Sequence, residues 1–258
     1  MKYYEVRDIV RENVGRDKAA QHQLDWSLQQ GLREIEKEGN FYWMRAVKTF
    51  SLVVNQQGYS ITTSTDSGLN IPNYKDARIL LVSDQTLDNP DWGEVFGPVD
   101  IEEASLEFAD TDTGQPIIWS LDEAVATKTQ TDPLTAASSP SILVWPNLPD
   151  KTYSMRLHYF QWTSLPSDTT SQAHEVLLRW PEALIYLATE VLLTSLTKDP
   201  QYGAVWRQKF ANREDGELRK IRRYDKDRAR DSRTELRPMR GPYQSRRRAW
   251  NRSREIWR

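Results

Sequence analysis

"HEVLLRWPEALIYLATEVLLTSLTKDP", residues 174–200, is the most apolar segment of this chain. Leu177, Leu184, Leu187, Val191 and Leu192 recur at helical spacing, and apolar residues occupy nearly the whole circumference. A helix of that kind is stable only when other helices surround it. Pro181 fits the first turn of the main helix, where the missing N–H costs nothing. The segment therefore predicts a buried central helix, and the rest of the sequence has to supply its neighbours.

Two candidates stand at the N-terminus. In "YYEVRDIVRENVG", Val6, Ile9, Val10 and Val14 share a helical face, and Gly15 is placed to end the run. In "DKAAQHQLDWSLQQGLREIEKEG", Leu24, Leu28, Leu32 and Ile35 repeat the period, with Asp17 as N-cap and Gly39 as terminator. Gly31 weakens the case for an uninterrupted helix. On the C-terminal side, Tyr202, Val205, Trp206, Phe210, Leu218, Ile221 and Tyr224 continue the helical period. A single helix from Pro200 to Asp231 would be about 48 Å long, with a projecting far end.

Between these pairs the pattern changes to β. "FYWMRAVKTFSLVVNQQGYSITT" is aromatic and β-branched, with Phe50, Leu52 and Val54 alternating and QQG turning the chain before Tyr59, Ile61 and Thr63. "ARILLVSD", "GQPIIWSL", "SILVWP" and "TYSMRLHYFQW" are further strands. "VDIEEASLEFAD" reads as a short helix capped by Asp100, with Ile101, Ala104, Ser105 and Phe108 on one face. Short turns between strands predict mostly antiparallel pairing. The expected fold is α+β: a helical bundle of residues 1–40 and 166–231, a protruding antiparallel insertion at 41–165, and an extended arm at 232–258.

The arm is distinct in composition. Residues 219–258 carry 16 Lys+Arg against 5 Asp+Glu, whereas residues 1–218 carry 19 against 32. Pro238, Gly241 and Pro242 exclude regular helix there, and the last 27 residues would span roughly 90 Å if extended. Trp250 and Trp257 sit among arginines with few aliphatic residues, which is the composition of a segment that orders on contact with a partner. The other tryptophans read as packing residues: Trp43, Trp119, Trp145 and Trp162 beside strands, Trp26 and Trp206 in helices.

Motifs for chemistry are missing. The chain has no cysteine, which removes disulfides and thiolate metal sites. His22, His158 and His174 read as surface residues, at a polar helix face, a polar strand face and a helix entrance. No phosphate-binding glycine loop and no nucleophile elbow occurs. "DQTLDNPDWGE" gathers Asp84, Asp88, Asp91 and Glu94 but lacks the glycine and final glutamate of a calcium loop, so it reads as a solvated turn, and "DTDTG" reads as a hairpin turn. The expectation is a protein that is no enzyme and takes no cofactor or metal. The opening "MKYYEVRDIV" has no signal-peptide run, and no stretch is apolar enough to anchor in a membrane, which predicts a soluble protein made in a reducing cytoplasm.

The order of segments carries a resemblance. The helix pair ending in "EKEGNFYWM", the strand "TGQPIIWSL", the run "SILVWPNLPDKTYSMRLHYFQW", the helix "LLRWPEALIYLATEVLLTSL", the break "KDP" and the helix "YGAVWRQKFANREDGELRKIRRYDKDRAR" follow one another across residues 5–230. In that order the chain resembles the head-to-tail adaptor proteins of tailed bacteriophages, which sit beneath the portal ring. The resemblance implies a structural virion protein at the head–tail junction, assembled in the bacterial host. It implies a ring of twelve copies that docks on the portal protein, meets tail or nozzle proteins, and passes genomic double-stranded DNA through its lumen without reading sequence. No catalytic residue comes with it. The long arm departs from the family, whose members end soon after the last helix.

Two occupants are open for the arm: DNA in the channel, or protein, meaning the portal or a neighbouring copy's acidic body. Protein is favoured, because a ring of such arms facing DNA would grip a genome that must leave. Arginine pairs with carboxylates and stacks on rings, so the partner-binding candidates are Arg237, Arg240, Tyr243, Arg246, Arg247, Arg248, Trp250, Arg252, Arg254, Trp257 and Arg258. Other readings are a nucleic-acid-binding protein using the same arm, another neck component such as a tail terminator, and a carbohydrate-binding or hydrolytic virion protein using the β block.

Overall fold

The computed structural model describes residues 1–15, 18–61, 69–84, 91–108, 113–122, 140–146, 148–166, 174–197, 200–212 and 214–235, with side chains of the last helix described through Arg228. The fold is α+β, and the chain divides into two compact units. One comprises Met1–Met44 and the described residues from Trp162 onward; the other is Arg45–Gln161.

The helical unit is organised around α5 (Pro181–Leu192), which packs against α1 (Tyr3–Val14), α2 (Gln21–Lys37), α4 (Glu175–Arg179), α6 (Pro200–Ala211) and α7 (Glu217–Glu235). Pro181 occupies the first turn of α5, and Ala183, Leu184, Ile185, Leu187, Ala188, Thr189 and Leu192 are all buried. N-terminal and C-terminal helices thus close one bundle across the insertion. From α1 come Val6, Val10 and Val14, and from α2 Leu24, Leu28, Leu32 and Ile35. Gly15 ends α1 with φ +103°, a conformation that favours glycine.

Gly31 does not interrupt α2. A Cβ there would lie 3.1 Å from the Ala188 N and 3.3 Å from a Leu184 methyl, so its absence permits the close approach of α2 to α5. Ala20 holds the cap position of α2, where Gln23 Oε1 accepts from its N–H at 2.9 Å; Asp17 lies outside the described residues. α2 ends at Lys37, with Glu38 as its cap ahead of Gly39. Across the bundle, Arg207 of α6 reaches Glu34 of α2 at 3.3 Å and Glu190 of α5 at 3.4 Å.

The long C-terminal run is two helices, which corrects the single rod expected from periodicity. A π turn at Leu193–Thr197 precedes α6, and the chain breaks again before α7. At that second break Asn212 Oδ1 accepts from Glu214 N–H at 3.0 Å, and Asn212 C=O accepts from Gly216 N–H at 3.0 Å. A Cβ on Gly216 would stand 2.5 Å from that carbonyl, so only glycine closes the turn. Periodicity survived the break because both helices bury an apolar residue, Phe210 and Ile221, in the same bundle. The last helix runs to Glu235 and so includes the first four residues of the expected arm.

In the β unit every named strand pair is antiparallel, in two sheets ordered β1-β7-β3-β4 and β2-β6-β5. The strands are β1 (Arg45–Ser51), β2 (Gly58–Ser60), β3 (Tyr74–Ser83), β4 (Gly93–Val95), β5 (Ile118–Asp122), β6 (Ser141–Trp145) and β7 (Ser154–Gln161). Among the named strands, consecutive ones pair in β3 with β4 and in β5 with β6. β1 finds its partner β7 more than a hundred residues away, Arg45 opposite Phe160 and Ser51 opposite Ser154. The chain turns at Val54–Asn55, and β1 and β2 go to different sheets.

One core lies within the β unit: Leu52, Tyr59, Ile61, Leu80, Val82, Val95, Trp119, Ile142, Val144, Met155 and Leu157 are buried together. Thr63 lies outside the described residues, and Val54 is exposed rather than on the alternating inner face. The short helix α3 (Ile101–Glu107) is capped as expected, Asp100 Oδ1 accepting from Glu102 N–H at 2.9 Å. It covers Trp145 with Ala104, Ile101 and Phe108, while Ser105 faces solvent.

Candidate partner-binding surface at the root of the arm

All eleven arm residues expected to bind a partner lie outside the described residues. The structure does describe the root from which the arm leaves, α7 and what holds it. Ile221 anchors α7 in the bundle, and Glu217 is buried and paired with Lys220. Arg222, Arg223, Lys226 and Arg228 lie on exposed positions of the same helix. Arg222 reaches back to α2, donating to a Glu38 carboxylate oxygen at 2.8 Å and to the Glu38 C=O at 3.2 Å.

The root is clamped by an aromatic cage from three distant segments. Phe41 and Trp43 stack with ring centroids 4.5 Å apart, Trp43 meets Trp180 at 5.4 Å, and Trp180 meets Tyr224 of α7 edge-on at 5.2 Å. Two guanidinium groups cap the rings: Arg228 lies 4.0 Å over Tyr42 and Arg179 lies 4.9 Å over Tyr224. Cation–π contacts of this kind are worth roughly 0.5–1 kcal/mol each when exposed. Asp225 Oδ1 also accepts from Tyr42 N–H at 2.8 Å.

A carboxylate sits at the centre of the cage. Glu175 accepts from the Tyr42 hydroxyl and from Arg179 Nε. Burial, then the bond to Glu175, hold the Tyr42 phenol well above its ordinary range. Burial would raise the Glu175 carboxyl too, but Tyr42 and the Arg179 and Arg228 charges bring it below its usual value. The group is therefore ionised at neutral pH and ties α4 to residues 41–44 and α7.

These residues were not legible as a site in the sequence. "FYWM" at 41–44 reads as the start of a strand by composition, yet Tyr42–Met44 is a 3₁₀ turn of the helical unit. Propensity for β measures the fit of a ring to a half-buried surface, and here the surface is Trp180 and Tyr224. The only sequence signal was three consecutive aromatic residues that break the alternation of a strand.

The histidines separate into exposed His22, half-buried His158 and a half-buried helix cap, His174. His22 is exposed on α2, and His158 lies on the outer face of β7. His174 corrects the surface expectation. Its Nδ1 accepts from Val176 N–H at 3.1 Å, so the neutral ring carries its proton on Nε2, 2.8 Å from Thr163 Oγ1. The Thr163 hydroxyl donates in turn to the fully buried Glu36, which also accepts from Thr163 N–H at 3.2 Å. Burial lowers the His174 pKa to about 4 and raises that of Glu36 against the pull of the Thr163 hydrogen bonds and Arg33. The chain closes the segment after β7 onto α2, with Arg33 5.1 Å over the Trp162 ring beside it.

Among the described residues no group of acidic or histidine side chains is arranged to hold a metal ion, and no helix is long and apolar enough to cross a membrane. Asp84 of the acidic stretch is paired with Lys151; Asp88 and residues 109–112 lie outside the described residues. No protein-family model matches the chain, and no curated protein matches it.

Proposed function

We propose that the chain is a structural virion protein of the head-to-tail adaptor kind, which assembles as a ring, docks on a portal and extends its DNA channel toward the tail. The observation that carries the reading is the clamped root of α7. A basic helix is tied at its base to residues 41–44 and to α4, so the arginine- and tryptophan-rich arm starts from a defined position on a closed bundle. The helix–insertion–helix order is the one the resemblance implies. In this reading the ring has twelve copies, takes no cofactor, performs no catalysis and touches genomic DNA only through its lumen.

The arm residues Arg237, Arg240, Tyr243, Arg246, Arg247, Arg248, Trp250, Arg252, Arg254, Trp257 and Arg258 bind the portal or a neighbouring copy. Ordering such a segment costs about 1–2 kcal/mol per residue in backbone entropy, which only a large buried surface with aromatic anchors offsets. A negatively charged body of −13 beside each positively charged arm supplies the electrostatic complement. The test is electron microscopy of the protein mixed with the portal encoded in the same genome, for the full chain and for a chain ending at Glu235. Rings on the portal for the full chain and loss of occupancy for the shortened one are expected. Full occupancy without residues 236–258, or steep salt-dependent retention of DNA with no portal binding, would overturn the reading.

A further inference from the structure

Among the described residues, the β unit leaves one long strand edge without a pairing strand, while other edges are flanked. β2 is flanked by residues 69–71, through Leu69 N–H to Ser60 C=O at 2.7 Å and Ile71 N–H to Ile61 C=O at 2.8 Å. β5 is flanked by residues 96–99, through Trp119 N–H to Phe96 C=O at 2.9 Å and Val99 N–H to Trp119 C=O at 3.0 Å. β1 pairs on one side only, with β7. Leu52 N–H donates to Tyr153 C=O at 2.8 Å, which sets the alternation along the pair. Ala46, Lys48 and Phe50 therefore turn their backbone groups toward β7, and Val47, Thr49 and Ser51 turn theirs outward.

Edges are normally blunted by shortness or charge. This one is seven residues long and carries Arg45 and Lys48, yet Val47, like Val53 and Val54 just past the strand's end, is more than two-fifths exposed.

A cationic cluster adjoins the same edge. On the outer sheet face His158 stands opposite Val47 and Arg156 opposite Thr49. Arg156 lies 4.1 Å over the Trp92 ring, and Arg78 is exposed on the next strand. Among the described residues neither arginine has a carboxylate partner; Glu94 lies beyond Leu81 in the row of Arg156. Burial and then these two guanidinium charges push the His158 pKa down. Two arginines without a carboxylate partner among the described residues, set around a histidine, are unusual on a portion of chain with 32 acidic and 19 basic residues.

We infer that the open edge of β1 receives an extended, carboxylate-bearing segment of a partner protein as an added strand. Its backbone pairs with Val47, Thr49 and Ser51, its alternate apolar side chains rest on the exposed valines, and its carboxylates meet Arg156 and Arg78. Main-chain pairing gives affinity in such additions and side chains give selectivity. The inference stands independently of the adaptor reading, since it uses the β unit alone.

The experiment titrates the full-length protein with an octapeptide of alternating valine and glutamate, following backbone amide shifts by NMR. An octapeptide of alternating valine and lysine and a single-stranded oligothymidylate serve as the other probes. Thr49→Pro removes an outward N–H, which an edge strand tolerates, and should abolish binding while circular dichroism stays unchanged. The double variant Arg78→Ala, Arg156→Ala, which leaves the edge intact, should weaken binding about tenfold and flatten its salt dependence. Absence of binding by the valine–glutamate peptide, equal binding of the lysine peptide, or oligothymidylate binding that survives Thr49→Pro would each overturn the inference.

Discussion

The helical unit and the β unit solve the same burial problem by different routes. In the bundle, each helix satisfies its backbone locally, so neighbours are chosen by apolar stripes and by the space Gly31 leaves for Leu184 and Ala188. In the β unit, backbone groups are satisfied only by other strands, and β1 waits for β7 more than a hundred residues later. The bundle can therefore close its core from within. A sheet that is not a barrel must end, and among the described strands this one ends on β4 and on β1, with Val47 exposed. The lesson is that helices complete their backbone bonding alone, whereas a sheet leaves its last strand half-bonded.

Truncating each core gives the largest effects. Trp119→Ala in the β unit should cost about 4 kcal/mol and Leu28→Ala in the bundle about 3 kcal/mol, measured by urea denaturation. Equal losses of less than 1 kcal/mol would mean that neither site is packed as described.

Acid should next distinguish the units, because the buried titratable chain belongs to the bundle. The folded pKa of His174, about 4, lies below the unfolded value near 6.5, so the unfolded state binds the extra proton. Stability from this group is full above pH 6.5 and is lost as pH falls toward 4, by up to about 3 kcal/mol. Glu36 acts in the opposite sense: its raised pKa gives stability that is present at low pH and lost as pH rises through the folded value. His174→Asn keeps a capping acceptor and removes the first effect, so its stability should no longer fall between pH 6.5 and 4. An unchanged acid profile would refute the assignment.

At the root of the arm the effects are smaller. Tyr42→Phe removes the hydroxyl from Glu175 and should cost about 1.5 kcal/mol, with faster hydrogen exchange along α7. Arg228→Ala removes the cation over Tyr42 and should cost about 0.5 kcal/mol. Exchange confined to the substituted residue in both variants would show that the cage does not hold the helix.

The parts of the fold visible in the sequence are those set by neighbours within a few residues. Leu24, Leu28, Leu32 and Ile35 are all fully buried, Pro181 opens α5 and Asp100 caps α3, each from local spacing or capping chemistry. Trp26 was misread for a physical reason. It stands on the same helix as those leucines but outside their stripe, and at 48% exposed it packs little. Of the candidate site, the basic character of the arm was legible and the cage that roots it was not. Phe41, Tyr42, Trp180 and Tyr224 meet only after the chain has returned through the insertion.

The sequence by itself determined the α+β class, the burial of the central helix and the charge division between body and arm, because periodicity and composition are local quantities. Tertiary structure alone decided that β1 pairs with β7 and that the His174 ring meets Thr163 beside the buried Glu36. Those outcomes depend on which distant carbonyl, ring or carboxylate arrives to complete a hydrogen bond or a contact, and nothing within a few residues of each site specifies that arrival.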